Sequence, residues 1–282
     1  MNKTGFWVIL ALMLLALAAM LAWFWQQSGG GRLVTPPPPL PPTSNAPYDA
    51  IQPPPGAASQ PAVLFPVEPA ASDPQQITSA DFEPGQALAA LLGSEPVLEF
   101  LQTGDFPRRF AATVDNLGRS HAPPSVWPLN PTPDRFLTEQ RNGKTYISEA
   151  NAERYRPLVK LLTSIDIAAA TSLYVQIYPL LQKAYENLGF PNRHFNDRFV
   201  AVIDQLLATP EPGGPLQVQL TEVKGPMAST RPWVRYEYAD PGYEQLSAGQ
   251  KILLRVGAEN RRKLKAQLIE LRRSLTSLVR QR

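Results

Sequence analysis

The stretch DIAAATSLYVQIYPLLQKAYENL, residues 166–188, sets the fold class. Leu173, Tyr174, Ile177, Leu180, Leu181 and Tyr185 recur at helical spacing, so it reads as a long helix with an apolar core-facing stripe. Pro179 lies inside it and is expected to kink it, because proline lacks the donor and crowds the preceding turn. Gly189 and Pro191 close it. Upstream, Ser148 is expected to cap a helix carrying Tyr155, Leu158, Val159 and Leu162. Downstream, Phe195, Phe199, Ile203, Leu206 and Leu207 mark another, closed by Pro210.

The same reading extends outward. Val97, Leu98 and Leu101 begin a short helix, and Phe110, Val114 and Leu117 continue the spacing up to Gly118, read as a C′ stop. Ser247 to Val256 reads as a helix ended by Gly257, and a last, basic helix covers 258–279. Phe136 to Ser148 reads as a hairpin, since Asn142-Gly143 between β formers is the strongest two-residue turn signal. Leu216–Val223 and Trp233–Tyr238 are short strand candidates. The expected architecture is mainly α, or α+β: one helical domain over 87–282 with a small hairpin and a few short strands.

The N-terminal part has a different composition. Of 31 prolines, 14 fall between Pro36 and Pro74, too many for a packed domain. Residues 26–86 read as a disordered, proline-rich linker, with polyproline II over Pro36 to Pro42. Such a run can be a spacer or a docking site for a proline-recognising module. Phe6 to Trp25 is a run of twenty apolar residues, about 30 Å as a helix, which matches a bilayer's hydrocarbon core. Trp7 at one end and Trp23, Phe24 and Trp25 at the other resemble interfacial belts. The run is longer than the core of a cleaved signal peptide, which favours an uncleaved anchor. Lys3 and the α-amine against a lone Arg32 place residues 1–5 in the cytoplasm and the rest outside the inner membrane.

The chain has no cysteine, and its only histidines are His121 and His194. This excludes a disulfide scaffold and a zinc–thiolate site, and no metal or other cofactor is expected. There is no Gly-x-Ser-x-Gly elbow, Walker loop or dinucleotide fingerprint. Asp115, Asp204, Asp240 and Glu244 are the carboxylates that a glycan-cleaving pair would draw on. Each also has a structural reading: Asp115 pairs with Arg119 one turn on, Asp204 with a neighbouring helix, and Asp240-Pro241 is turn chemistry.

Several short motifs occur in a fixed order. Val114-Asp115-Asn116-Leu117-Gly118-Arg119 is followed by Asn151-x-x-Arg154-Tyr155, Tyr178-Pro179-Leu180 and Ala184-Tyr185-x-x-Leu188-Gly189. Then come Ile203-Asp204-x-Leu206-Leu207, Tyr238-Ala239-Asp240-Pro241, Leu246-Ser247-Ala248-Gly249-Gln250-Lys251 and Arg255-x-Gly257-x-x-Asn260. Over about residues 90–275 this ordered set resembles the bacterial family called domain of unknown function 3014. The resemblance implies a membrane-anchored envelope protein of Gram-negative bacteria; it implies no activity, substrate or catalytic residue.

Asp115, Asn116, Arg119, Arg154, Tyr155, Arg198, Asp204, Gln250, Lys251, Arg255 and Asn260 are polar residues in otherwise apolar helices. They are expected to form one buried network, which either lines a binding cleft or fixes helix orientation. Residues 261–282 carry eight Lys or Arg against Glu270, on a chain whose net charge is only +3. Leu264, Leu268, Leu271, Leu275 and Leu278 repeat at four–three spacing. This helix either packs on its own domain, pairs with a partner helix, or meets anionic lipid or wall. Nucleic acid is not expected, because no aromatic residues interleave these charges. The function expected is a non-enzymatic interaction or scaffolding module of the cell envelope, at the inner membrane and in the periplasm. The alternative is a protein that binds or hydrolyses the cell wall through carboxylates of the folded domain.

Overall fold

A computed structural model describes residues 62–67, 82–221 and 236–278. The tail 1–5, the apolar run from Phe6 to Trp25 and most of the 26–86 linker lie outside the described residues, as do Val223 and Trp233 of the strand candidates. Among the described residues, no single helix is long and apolar enough to cross a membrane.

The order is α1 (Pro84–Leu92), α2 (Ser94–Phe100), α3 (Phe106–Leu117), β1 (Thr138–Arg141), β2 (Lys144–Ile147), α4 (Asn151–Ser164), α5 (Ile167–Asn187) and α6 (Phe195–Leu207). There follow β3 (Val218–Leu220), β4 (Tyr236–Tyr238), α7 (Pro241–Glu244), α8 (Ala248–Arg255) and α9 (Ala258–Ser277). Among the described residues the protein is mainly helical, with two small antiparallel sheets.

Helix α5 is the central element, packed by α3, α6 and α9. Asp166 starts it by accepting from the Ala169 amide at 2.7 Å, and the helix continues through Pro179. Leu181, Tyr185, Phe195, Ile203 and Leu275 are buried at the centre of the main core. Phe110, Phe195 and Phe199 contact one another edge-on and stacked, at centroid separations of 5.7 to 6.1 Å. The C-terminal helix packs on this core: Leu275 is fully buried, and Leu264, Leu268, Leu271 and Leu278 lie against it. Of the alternatives open for this leucine seam, the structure shows packing on its own domain.

Asn142 (φ 51°) and Gly143 (φ 74°) take left-handed conformations, which makes the β1–β2 turn. Thr138 pairs with Ile147 and Arg141 with Lys144. The second hairpin pairs Val218 with Tyr238, and the Ile147 amide donates to Leu216 O at 2.9 Å, joining the two sheets. Val218, Tyr238 and Leu254 form a second small core there.

Three local expectations are corrected or refined. Ser148 does not cap α4: the helix begins at Asn151 after Ala150, and the Ser148 hydroxyl only accepts from the Ala150 amide at 3.3 Å. Gly118 does end α3, as its C-cap, but with φ −80° rather than the left-handed conformation usual for a C′ glycine. A Cβ there would lie 2.8 Å from the Arg198 guanidinium and 3.0 Å from Val202 Cγ2, so these side chains would have to shift to admit one. The packed region also begins earlier than residue 87. Phe82 is buried, α1 starts at Pro84, and residues 62–67 of the presumed disordered linker lie against the core through Phe65 and Val67.

Helix α8 approaches α3 and α6 through Gly249. A Cβ there would overlap Leu206 Cδ2 and sit 3.0 Å from Leu117 O, which is backbone and cannot yield like a side-chain tip. Helical Gly→Ala usually stabilises by about 0.5–1 kcal/mol. Gly249→Ala should instead destabilise by about 1–3 kcal/mol through overpacking. Gly85→Ala in α1, where nothing lies within 4 Å, should show the ordinary gain. Urea unfolding of the two variants tests the contrast, which fails if both shift the same way.

Candidate functional site

The strongest polar cluster joins α3 to α6. Asp115 is nearly buried, with 9 % of its side chain exposed. Arg119 donates to one carboxylate oxygen from Nε at 2.8 Å, and Arg198 donates to the other from Nε at 2.9 Å. A further bond runs from Arg198 Nη2 to Asp115 O at 2.7 Å, so one arginine binds both the side chain and the backbone of α3. The Arg119 guanidinium lies 5.7 Å from the Phe190 ring centroid. Beside this cluster, burial raises the Tyr185 hydroxyl pKa, and the Asp115 charge adds to the shift; Arg198, Arg193 and Arg119 oppose it.

The remaining candidates do not join this cluster into one network. Asn116 donates to Ala112 O of its own helix at 2.8 Å. Arg154 holds the loop before β1 through Pro133 O and Asp134 O, and its guanidinium stacks on Tyr155 at 5.4 Å. Gln250 completes a capping box with Ser247. Lys251 bonds Glu244 at 2.7 Å. Arg255 donates to Tyr236 O at 2.7 Å and lies over the Tyr238 ring at 5.4 Å. Asn260 ties α9 to α4 through Ala152 O at 2.9 Å. Asp204 meets Arg272 across α6 and α9. The expectation of one network is thus replaced by separate groups: Asn116 and Gln250 act within their own helices, and the others join neighbouring elements.

Four residues of importance are not among the polar site candidates read from the sequence, although Asn151 stands in one of the ordered motifs. Asn151, 1 % exposed, bonds both Leu137 N and Leu137 O and so anchors the hairpin to α4. Glu211 takes two bonds from the buried Arg261, at 3.0 and 2.5 Å, and one from Lys265 at 3.0 Å. The Arg261 bonds lower the Glu211 pKa to about 2, with Lys265 contributing. The other two, Asn196 and Asp197, stand on the first turn of α6. Asp197 accepts from the amides of Leu64 at 3.1 Å and Phe65 at 2.8 Å. Buried Asn196 donates to Phe65 O at 2.9 Å. Leu64, Asp197, Arg198, Tyr185 and His194 line a pocket of about 360 Å³ next to the Asp115 cluster. Among the described residues, no group of three or more His, Cys, Asp or Glu could hold a metal ion.

Residues 106–272 match the model of a family described as "Protein of unknown function (DUF3014)". The chain belongs to the DUF3014 family. The match covers more than half of the sequence and takes in α3 to most of α9, with the Asp115, Arg119 and Arg198 cluster inside it. Helices α1 and α2 and the docked residues 62–67 precede the matched DUF3014 region. Neither the curated proteins nor the solved structures give a match to this DUF3014 protein.

Proposed function

We propose that this DUF3014 protein is a non-enzymatic interaction module of the bacterial envelope, held at the inner membrane by the 6–25 run and displayed in the periplasm by its proline-rich arm. The observation that carries the non-enzymatic reading is the fate of the carboxylates a wall-cleaving mechanism would draw on. Asp115, Asp204 and Glu244 are each held by a cation, and Asp240 caps α7 by accepting from the Gly242 amide at 2.7 Å. Such pairs consume acids as fasteners between elements rather than leaving them to share a substrate. The apolar run 6–25 and the positive N-terminal flank support the anchor and its orientation.

A C-terminal reporter active only outside the cytoplasm, fused to the full chain in a Gram-negative host, is expected to be active with the anchor uncleaved. A cytoplasm-active reporter on the same chain should be silent. The opposite pattern overturns the periplasmic reading, and turnover of purified wall fragments by the full chain overturns the non-enzymatic one.

A further inference from the structure

Residues 62–67, AVLFPV, bend at Leu64 and Phe65 and lie on α6 as a peptide ligand lies on a receptor. Two successive amides, Leu64 and Phe65, donate to the two oxygens of one carboxylate, Asp197. The Phe65 carbonyl accepts from Asn196 Nδ2. Asn196 is fully buried, and the Tyr174 hydroxyl donates to its Oδ1 at 2.9 Å, which leaves the NH₂ aimed at the peptide. These three bonds read backbone, not side-chain identity. Selectivity comes from Phe65 and Val67, which pack against the core, whereas Val63 and Leu64 stay 40 % and 68 % exposed. Main-chain bonds for affinity with pockets for chosen side chains is a recurring mode of peptide recognition. Pro66 suits it: it offers no amide to satisfy, and its fixed φ leaves the free segment fewer conformations to lose on docking.

The same segment is only lightly attached. It forms no helix or strand and precedes the matched family region. Three hydrogen bonds and two apolar side chains are a small hold, of the kind that opens locally without global unfolding. We propose that the first turn of α6 is a peptide-recognition site, that residues 62–67 are its resident ligand, and that a partner protein presenting a bent Phe-Pro segment flanked by apolar residues displaces them. The argument stands on the geometry of residues 62–67 and α6, and holds whichever side of a membrane the domain occupies.

The test uses the full chain in detergent and a labelled synthetic peptide with the sequence of residues 60–69, read by fluorescence anisotropy. In the native chain the tethered copy competes, because linkage makes its docking intramolecular. Phe65→Ser removes the aromatic anchor; Leu64→Pro removes one amide while changing an exposed side chain. Each variant should bind the peptide at least tenfold more tightly than the native chain does. Adding Asp197→Ala should remove most of that gain while the thermal transition stays cooperative, and a peptide with Phe replaced by Ser should not bind. Equal binding by native and released chains, no binding by either, or binding indifferent to Asp197→Ala overturns the proposal. A native dimer that Phe65→Ser converts to monomers would assign the site to a second copy and overturn displacement by a partner.

Discussion

Asp115→Ala should destabilise the domain by about 3 kcal/mol, the low end of the loss seen when one partner of a buried ion pair is removed. For a domain of this size that is about 6–12 °C in Tm. The reason is what the alanine leaves behind. Arg198 has 28 % of its side chain exposed and is fixed to the α3 backbone, so its guanidinium cannot turn fully to water. Arg119, half exposed, can. Arg119→Ala should therefore cost only about 0–1 kcal/mol, the range of surface pairs. Arg198→Ala should fall between the two. Asp115→Leu combined with Arg198→Met should recover part of the loss, because it removes both charges rather than orphaning one. Chemical denaturation of the four variants tests the order; a loss below about 1 kcal/mol for Asp115→Ala would show that the cluster is solvated and not a fastener.

The elements legible in the sequence are those whose signals are local. Asn142-Gly143 specifies its turn because both residues accept a positive φ, and the hairpin follows. Ser247 and Gln250 write a capping box within four residues. The spacing of Leu264, Leu268, Leu271 and Leu275 marks a buried face, although spacing alone does not say whose core it enters. The pairing of Asp204 with a neighbouring helix could be read from an acid on an apolar helix; its partner, Arg272, could not.

The features that escaped depend on close approach between distant parts of the chain. Gly118 reads as the helix stop it is, but nothing local shows that Arg198, eighty residues on, packs against it. Asp197 looks like an acid in the first turn of a helix, which the dipole favours anyway. Its bonds to Leu64 and Phe65 bridge more than 130 residues. Residues 62–67 sit in a stretch whose composition reads as linker, and proline content masked the Leu-Phe-Pro-Val run within it. The polar candidates were chosen by residue type on apolar helices. That criterion finds residues that must be paired but not how many groups they form.

Raising the pH above about 10 should unfold the domain through its buried phenols. Burial raises the pKa of Tyr178 to about 12, with the charges of Asp197 and Glu186 adding and the Asn196 amide opposing. Burial likewise raises Tyr174 well above the ordinary value, helped by Tyr178 and Asp197, and raises Tyr238, against the pull of Arg255. All three hydroxyls are hydrogen-bonded: Tyr174 to Asn196, Tyr178 to Gln182 at 3.2 Å and Tyr238 to Lys251 O at 3.0 Å. Below about pH 10 these groups are protonated in folded and unfolded chains alike, and their stabilising effect is complete. From there to the folded pKa values the unfolded chain gives up protons that the native state retains, so stability falls as pH rises. Tyrosinate absorbance should show fewer than the nine tyrosines ionising before the unfolding transition, and the rest ionising with it. Lysine deprotonation occupies the same range, so the deciding variant is Tyr178→Phe. It should flatten the fall of Tm with pH above 10 while leaving lysine titration untouched. An unchanged slope in that variant, or nine phenols titrating together near pH 10 in a still-folded chain, would contradict this account.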